Sequence, residues 1–287
     1  MKAITLVTMG LAAMNANANA QQGGSYAAVN GLKIYYEIHG AADQKSTPLV
    51  LLHGGVGGIE MFGPNLPALA KNRRLIAANL QAHGRTADID RPLRYELMAA
   101  DVAALLKHLE ISQADVMGYS LGGGVALQTA IKYPDVVRKL VVVSAPCKRS
   151  AFYPEVLAAM DQMGPAAAAG MKMSPLAKLY PGADWSTLFT KLGELLKQDY
   201  DWSKDVARIK APTMLVFADA DAISLTHVME FFGLLGGGQR DAGLDGSRRP
   251  VARLAIVPGA THYDILSSTT VAELAIPFLD SHAPSPR

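Results

Sequence analysis

The sequence predicts an α/β fold: a mostly parallel central sheet with helices on both faces, carrying a small helical insert. Three observations predict it. Short continuous apolar runs, such as residues 48–52 and 140–143, recur along the chain, and such runs suit parallel strands covered on both faces. Helical stretches separate them, giving the order strand, helix, strand, helix, strand that right-handed crossovers produce. Between residues 146 and 204 the β-rich runs stop, and Ala, Met, Leu and Lys dominate.

The elements follow in order. Asn30-Gly31 lies between two β-like runs, a strong hairpin signal, so the chain opens with an antiparallel pair. Residues 48–52 and 75–80 read as buried strands. Residues 95–109 read as an amphipathic helix with Leu97, Val102, Leu105, Leu106 and Leu109 as its apolar stripe. A strand at 115–119 precedes a helix at 121–132, which Tyr133-Pro134-Asp135 ends. A strand at 140–143 follows. The next stretch is broken at Pro154, Gly164-Pro165, Pro175 and Pro181-Gly182, and reads as several short helices. Strands at 213–217 and 254–257 and a helix at 271–279 complete the pattern, with a Gly- and charge-rich surface loop at 236–250. No internal repeat is visible.

Composition narrows the function classes. A chain of 287 residues, half of them hydrophobic, supplies a sizeable core. A net charge of +2 argues against nucleic acid or an anionic membrane surface as partner. Arg73-Arg74 and Arg248-Arg249 read as solvated surface charge. The one cysteine, Cys147, follows an apolar run and reads as a buried, inert thiol. Lys2, an apolar run over 3–14 and Ala18-Asn19-Ala20 together read as a secretory leader, residues 1–20, cleaved after Ala20. Its apolar run is too short to span a bilayer comfortably. The expectation is an exported protein, periplasmic or secreted, without stable membrane insertion once the leader is removed.

Gly118-Tyr119-Ser120-Leu121-Gly122 matches G-x-S-x-G, set between a buried strand and a helix. A sharp strained turn there exposes the Ser120 hydroxyl above the sheet, over the unpaired N–H groups and positive dipole end of the helix. A serine hydroxyl needs a base within hydrogen-bond reach. His262, just after the last strand in Pro258-Gly259-Ala260-Thr261-His262, is the candidate, because open α/β sheets place their sites at the carboxyl ends of strands. His39, His83, His108, His227 and His282 read as surface or structural. The base needs an acid to fix its tautomer. Asp219 and Asp221 both follow a strand, and either suits the order Ser, Asp, His.

These motifs, with His53-Gly54-Gly55 after an early strand, resemble the α/β-hydrolase family over about residues 26–279. The resemblance implies that Asp221 is the triad acid, although Ala218 stands where family members often have glycine. It implies that the N–H groups of Gly55 and Leu121 form an oxyanion hole and that His53 is structural, with Gly57-Gly58 leaving the mouth flexible and open. It also divides the chain into a core at 21–146, a helical cap at 147–204 and a second core part at 205–287. Phe152, Tyr153, Met160, Met163, Met171, Met173, Tyr180, Trp185 and Phe189 of the cap are candidates for an apolar pocket.

The expected function is serine-dependent hydrolysis of carboxylic esters of small to medium, partly apolar substrates through an acyl-enzyme, with no cofactor and no metal. The Gly-rich loop at 54–58 is weak support for a nucleotide. A lactonase is the nearest alternative, followed by carbon–carbon hydrolysis or peracid formation. Ser120 argues against the aspartate-dependent dehalogenases and epoxide hydrolases of this fold. A binding protein on the same scaffold is the reading from a different class. The oligomeric state is left open.

Overall fold

The structure is a computed structural model that describes residues 23–40 and 46–281; the leader expected at residues 1–20 and His282 lie outside them. Eight strands form a sheet: β1 (Ser25–Val29), β2 (Leu32–His39), β3 (Leu49–Leu52), β4 (Leu75–Ala78), β5 (Ala114–Tyr119), β6 (Val137–Val143), β7 (Thr213–Ala220) and β8 (Arg253–Thr261). Their spatial order is β1-β2-β4-β3-β5-β6-β7-β8. β2 pairs antiparallel with β1 and β4, and the remaining pairs are parallel. The hairpin turns at Asn30 and Gly31, whose φ angles of 48° and 78° are the left-handed values a two-residue turn requires.

The continuous apolar runs are explained by burial on both faces. Val50, Leu52, Val116, Val142 and Leu215 face one core, covered by α2 (Tyr95–His108) and α3 (Leu121–Lys132). Leu49, Leu51, Met117, Val141 and Val216 face the other, covered by α1 (Asn65–Ala70) and α10 (Thr270–Asp280). Successive residues of a strand point to opposite faces, so each strand needs apolar residues throughout.

Between β6 and β7 the chain is helical: α4 (Pro154–Asp161), α5 (Pro165–Ala168), α6 (Pro175–Leu179), α7 (Trp185–Leu196) and α8 (Ser203–Val206). Proline opens the first three, where its missing N–H costs nothing. Asp184 caps α7 by accepting from Thr187 N at 3.0 Å. After β7 comes α9 (Leu225–Leu234). Among the described residues no helix is long and apolar enough to cross a membrane.

Two readings need correction. The buried stripe of α2 is Tyr95, Met98, Ala99, Val102, Leu105 and Leu106, while Leu97 and Leu109 are half-buried. The helical period selects 95, 98, 99, 102 and 106, and residue 97 falls to one side. Asp101 shares the buried face because Arg91 and Asn30 pair it. Arg73 is buried rather than solvated: its guanidinium donates to Leu69 O at 3.1 Å and to Asp280 Oδ1 at 2.8 Å, tying α1 to α10. Lys139, also buried, donates to the C-terminal carbonyls of Phe278 and Leu279 and holds the same helix to β6.

The loop after β3 is pinned by a buried histidine. His53 Nδ1 faces Gly54 O at 2.7 Å, and Nε2 accepts from Leu80 N at 3.0 Å, which fixes a neutral imidazole protonated on Nδ1. His83 lies beside it, with ring centroids 5.3 Å apart and the planes tilted by 52°. Burial pushes His53 down to about 4 and His83 down to about 3, from an ordinary value of 6.5.

Two outcomes follow. Below pH 6.5 the unfolded chain takes up protons at these histidines that the fold refuses, so stability is complete above 6.5 and declines as pH falls toward about 4. Thermal unfolding between about pH 7.5 and 4.5 checks this, and an unchanged Tm contradicts it. Gly122 approaches β3 so closely that a Cβ there would stand 2.1 Å from Leu52 O. Gly122→Ala is expected to lower stability by about 1–3 kcal/mol or more, read by denaturant unfolding.

Candidate active site

Ser120 follows β5 and begins the turn into α3 with φ 52° and ψ −116°, a strained backbone for a residue with a side chain. The flanking glycines make the turn sterically possible. A Cβ at Gly118 would lie 2.0 Å from Gly122 O, and Gly122 itself abuts Leu52 O. The turn is also bonded to the neighbouring loop, since Gly122 N donates to His53 O at 3.0 Å.

Ser120, Asp221 and His262 meet. Ser120 Oγ stands 3.1 Å from His262 Nε2. His262 Nδ1 lies 2.9 Å from Asp221 Oδ1. With Nδ1–H directed at the carboxylate, Nε2 accepts the Ser120 proton. Asp219 takes a different place: it is exposed and accepts from Gly259 N at 3.0 Å, fixing the turn before His262. Of the two aspartates, Asp221 is the one within hydrogen-bond reach of the His262 ring.

Asp221 is buried, and burial alone pushes its carboxyl up. Hydrogen bonds from His262, Ser144 and Ala218 N outweigh that and hold it below the usual carboxylate range. Ser144 Oγ donates to Asp221 Oδ2 at 2.6 Å, and Ala218 N donates to the same oxygen at 3.1 Å. Tyr119, inside the G-x-S-x-G pentapeptide, donates its hydroxyl to His262 O at 2.5 Å. Its ring lies 5.6 Å from the imidazole. The sequence reading missed both Ser144 and Tyr119. Ser144 sits at the end of β6 with φ 47°, and its place beside the site follows from the strand order alone.

Gly55 and Leu121 line one cavity with Ser120 and His262. The cavity measures about 290 Å³. Of the nine cap candidates, Phe152, Met160, Met163 and Phe189 line it. Met171 and Tyr180 are buried elsewhere, while Tyr153 and Met173 are 40% and 89% exposed. Leu192 and Leu196 of α7 complete the wall with Phe189; the sequence reading passed over both, although their i, i+3, i+7 spacing with Phe189 is a signal that could have found them. Gly57 and Gly58 are closely packed upon. Met61 packs on the first and Tyr180 on the second, within the space a Cβ would take.

Cys147 is buried 3.8 Å from His227 Nε2, and burial pushes its thiol up to about 11. His227 is buried as well, while His108 is exposed. Among the described residues no group of three or more His, Cys, Asp or Glu is placed to hold a metal ion.

Comparison with known proteins places this geometry in a family. The family model for the α/β hydrolase fold matches residues 47–222. The dihydrolipoyllysine-residue acetyltransferase component of the acetoin cleaving system of Pseudomonas putida is 37% identical over 111 residues, 39% of this chain and 29% of that protein. The 2-hydroxymuconate semialdehyde hydrolase of Pseudomonas sp. (strain CF600) is 32% identical over 136 residues, 46% of this chain and 47% of that protein. The chain thus spans less than half the length of either relative. The crystal structure of the enol-lactonase from Burkholderia xenovorans LB400 superposes with a TM-score of 0.71 at 21% identity, covering 89% of this chain and all of that one; at such identity the likeness is one of fold. With the family match spanning more than half its length and the fold and strand–serine–helix turn described above, the chain belongs to the α/β-hydrolase fold family.

Proposed function

We propose that the protein is a serine hydrolase that cleaves carboxylic esters of small to medium, partly apolar substrates through an acyl-enzyme. The observation that carries this reading is the hydrogen-bonded line from Ser120 Oγ through His262 to Asp221, 3.1 Å and 2.9 Å, opening into an apolar cavity. Each part has a task. Ser120 Oγ attacks the carbonyl carbon while its proton passes to His262 Nε2. Asp221 stabilises the imidazolium that forms and keeps the ring oriented. The developing oxyanion lies against the N–H groups of Gly55 and Leu121, at the N-terminus of α3; one such donor is typically worth about 3 kcal/mol of barrier. His262 then returns the proton to the departing alcohol oxygen. Water, deprotonated by His262, attacks the acyl-enzyme, the Ser120–acyl bond breaks, and Ser120 recovers its proton.

Lactone opening is the nearest second reading, because the same atoms perform it on a cyclic ester. Similarity to 2-hydroxymuconate semialdehyde hydrolase supports carbon–carbon cleavage as a further one. Hydrolysis of p-nitrophenyl acetate, butyrate and octanoate beside Ser120→Ala tests the proposal. Wild type is expected to turn over with a chain-length optimum, and the variant to lose at least about 1,000-fold in kcat. An inactive wild type, or an equally active variant, rejects ester hydrolysis by Ser120.

A further inference from the structure

Charge is distributed unevenly around the cavity. Among its described lining residues, no lysine or arginine is present, and Glu60 and His262 are the only ionisable groups besides tyrosines. Glu60 lies in the short 3-10 turn Ile59–Phe62, directly after the Gly-rich loop that carries Gly55. Its carboxylate accepts from the Tyr180 hydroxyl and pairs with Arg85 at 2.7 Å.

None of the described cations on the surrounding elements lines the cavity. Arg85 is held by Glu60 and lies against the rings of Tyr35 and Tyr180. Lys191 is on α7, the helix that supplies Phe189, Leu192 and Leu196. Its ammonium donates to Asp88 Oδ2 at 2.5 Å, Ile89 O at 2.7 Å and Arg91 O at 2.8 Å, outside the cavity. Arg149 donates to Leu196 O at 2.8 Å and to Asp161 Oδ1 at 2.5 Å. Lys178 of α6 is exposed and does not line the cavity.

We infer, resting on the serine-hydrolase reading, that the site selects esters whose acyl and alcohol parts are both uncharged and rejects those bearing a carboxylate, because its apolar wall holds no lysine or arginine to receive one. A carboxylate entering this space sheds its water, meets Met160, Met163, Phe152 and Phe189, and finds no cationic partner. Glu60, the carboxylate in the wall, already holds Arg85 and the Tyr180 hydroxyl, so neither is left to receive it. An alkyl or aryl group loses nothing by the same transfer. The filter acts on the product too. Hydrolysis turns a neutral ester into a carboxylate at Ser120, so the acid formed is disfavoured in the cavity that admitted its ester.

The test compares matched esters on both sides of the scissile bond, followed by pH-stat. One pair is p-nitrophenyl hexanoate and the p-nitrophenyl half-ester of adipic acid. The other is the hexanoate esters of 4-methylphenol and of 4-hydroxybenzoate. In each pair the uncharged member is expected to have a kcat/KM higher by about 100-fold or more. Met160→Lys, which brings an ammonium to the wall, is expected to narrow that ratio by about tenfold. Equal kcat/KM within the pairs, or preference for the charged member, overturns the charge inference while leaving ester hydrolysis standing. No turnover of any of the four removes the ester-hydrolysis reading and this inference with it.

Discussion

At the carboxyl end of β5 three stretches of backbone come together with no side chain between them. Gly118 meets the carbonyl of Gly122, and Gly122 meets that of Leu52 at distances a Cβ would not allow. This contact fixes the angle at which the strand turns into α3, and so forces Ser120 to φ 52°. A non-glycine residue held there costs about 1–3 kcal/mol, which the surrounding packing must supply. The hydrogen bond from Gly122 N to His53 O then ties the Gly-rich loop to the same point. Position of the serine, the helix N-terminus and Gly55 are therefore consequences of one close approach.

The remaining parts of the site arrive from the far side of the sheet, and a set of hydrogen bonds brings them into register. Tyr119 holds the carbonyl of His262, Asp219 holds the turn before it, and Ser144 holds the carboxylate of Asp221. These groups belong to strand ends or the residues just after them, so β5, β6, β7 and β8, neighbours in the sheet, each bring one member to the same end. Arg73 and Lys139 serve the layer behind. They bind the C-terminal end of α10 to α1 and β6.

Much of this was legible in the sequence. Continuous apolar runs revealed the strands because burial on two faces leaves no room for alternation. G-x-S-x-G, the aspartate pair and His262 stood out because their chemistry and chain order are both constrained. The rest depended on tertiary proximity. Ser144 and Asp221 are 77 residues apart and Tyr119 and His262 are 143 apart, so no local pattern joins them. In the insert, composition indicated apolar residues without indicating which way each helix would turn, so Phe152, Met160, Met163 and Phe189 line the cavity while Tyr153 and Met173 face outward. Arg73 looked like surface because its charged partner, Asp280, 207 residues away, becomes a neighbour only after α10 docks.

The central claim is that His262, oriented by Asp221, makes the Ser120 hydroxyl a nucleophile. Labelling with a fluorophosphonate, located by peptide mass spectrometry, tests it without reference to any substrate. The account predicts a single adduct on Ser120 in the wild-type chain, with labelling slowed by at least about 100-fold in His262→Ala. An unlabelled Ser120, or labelling at an undiminished rate without His262, would contradict it.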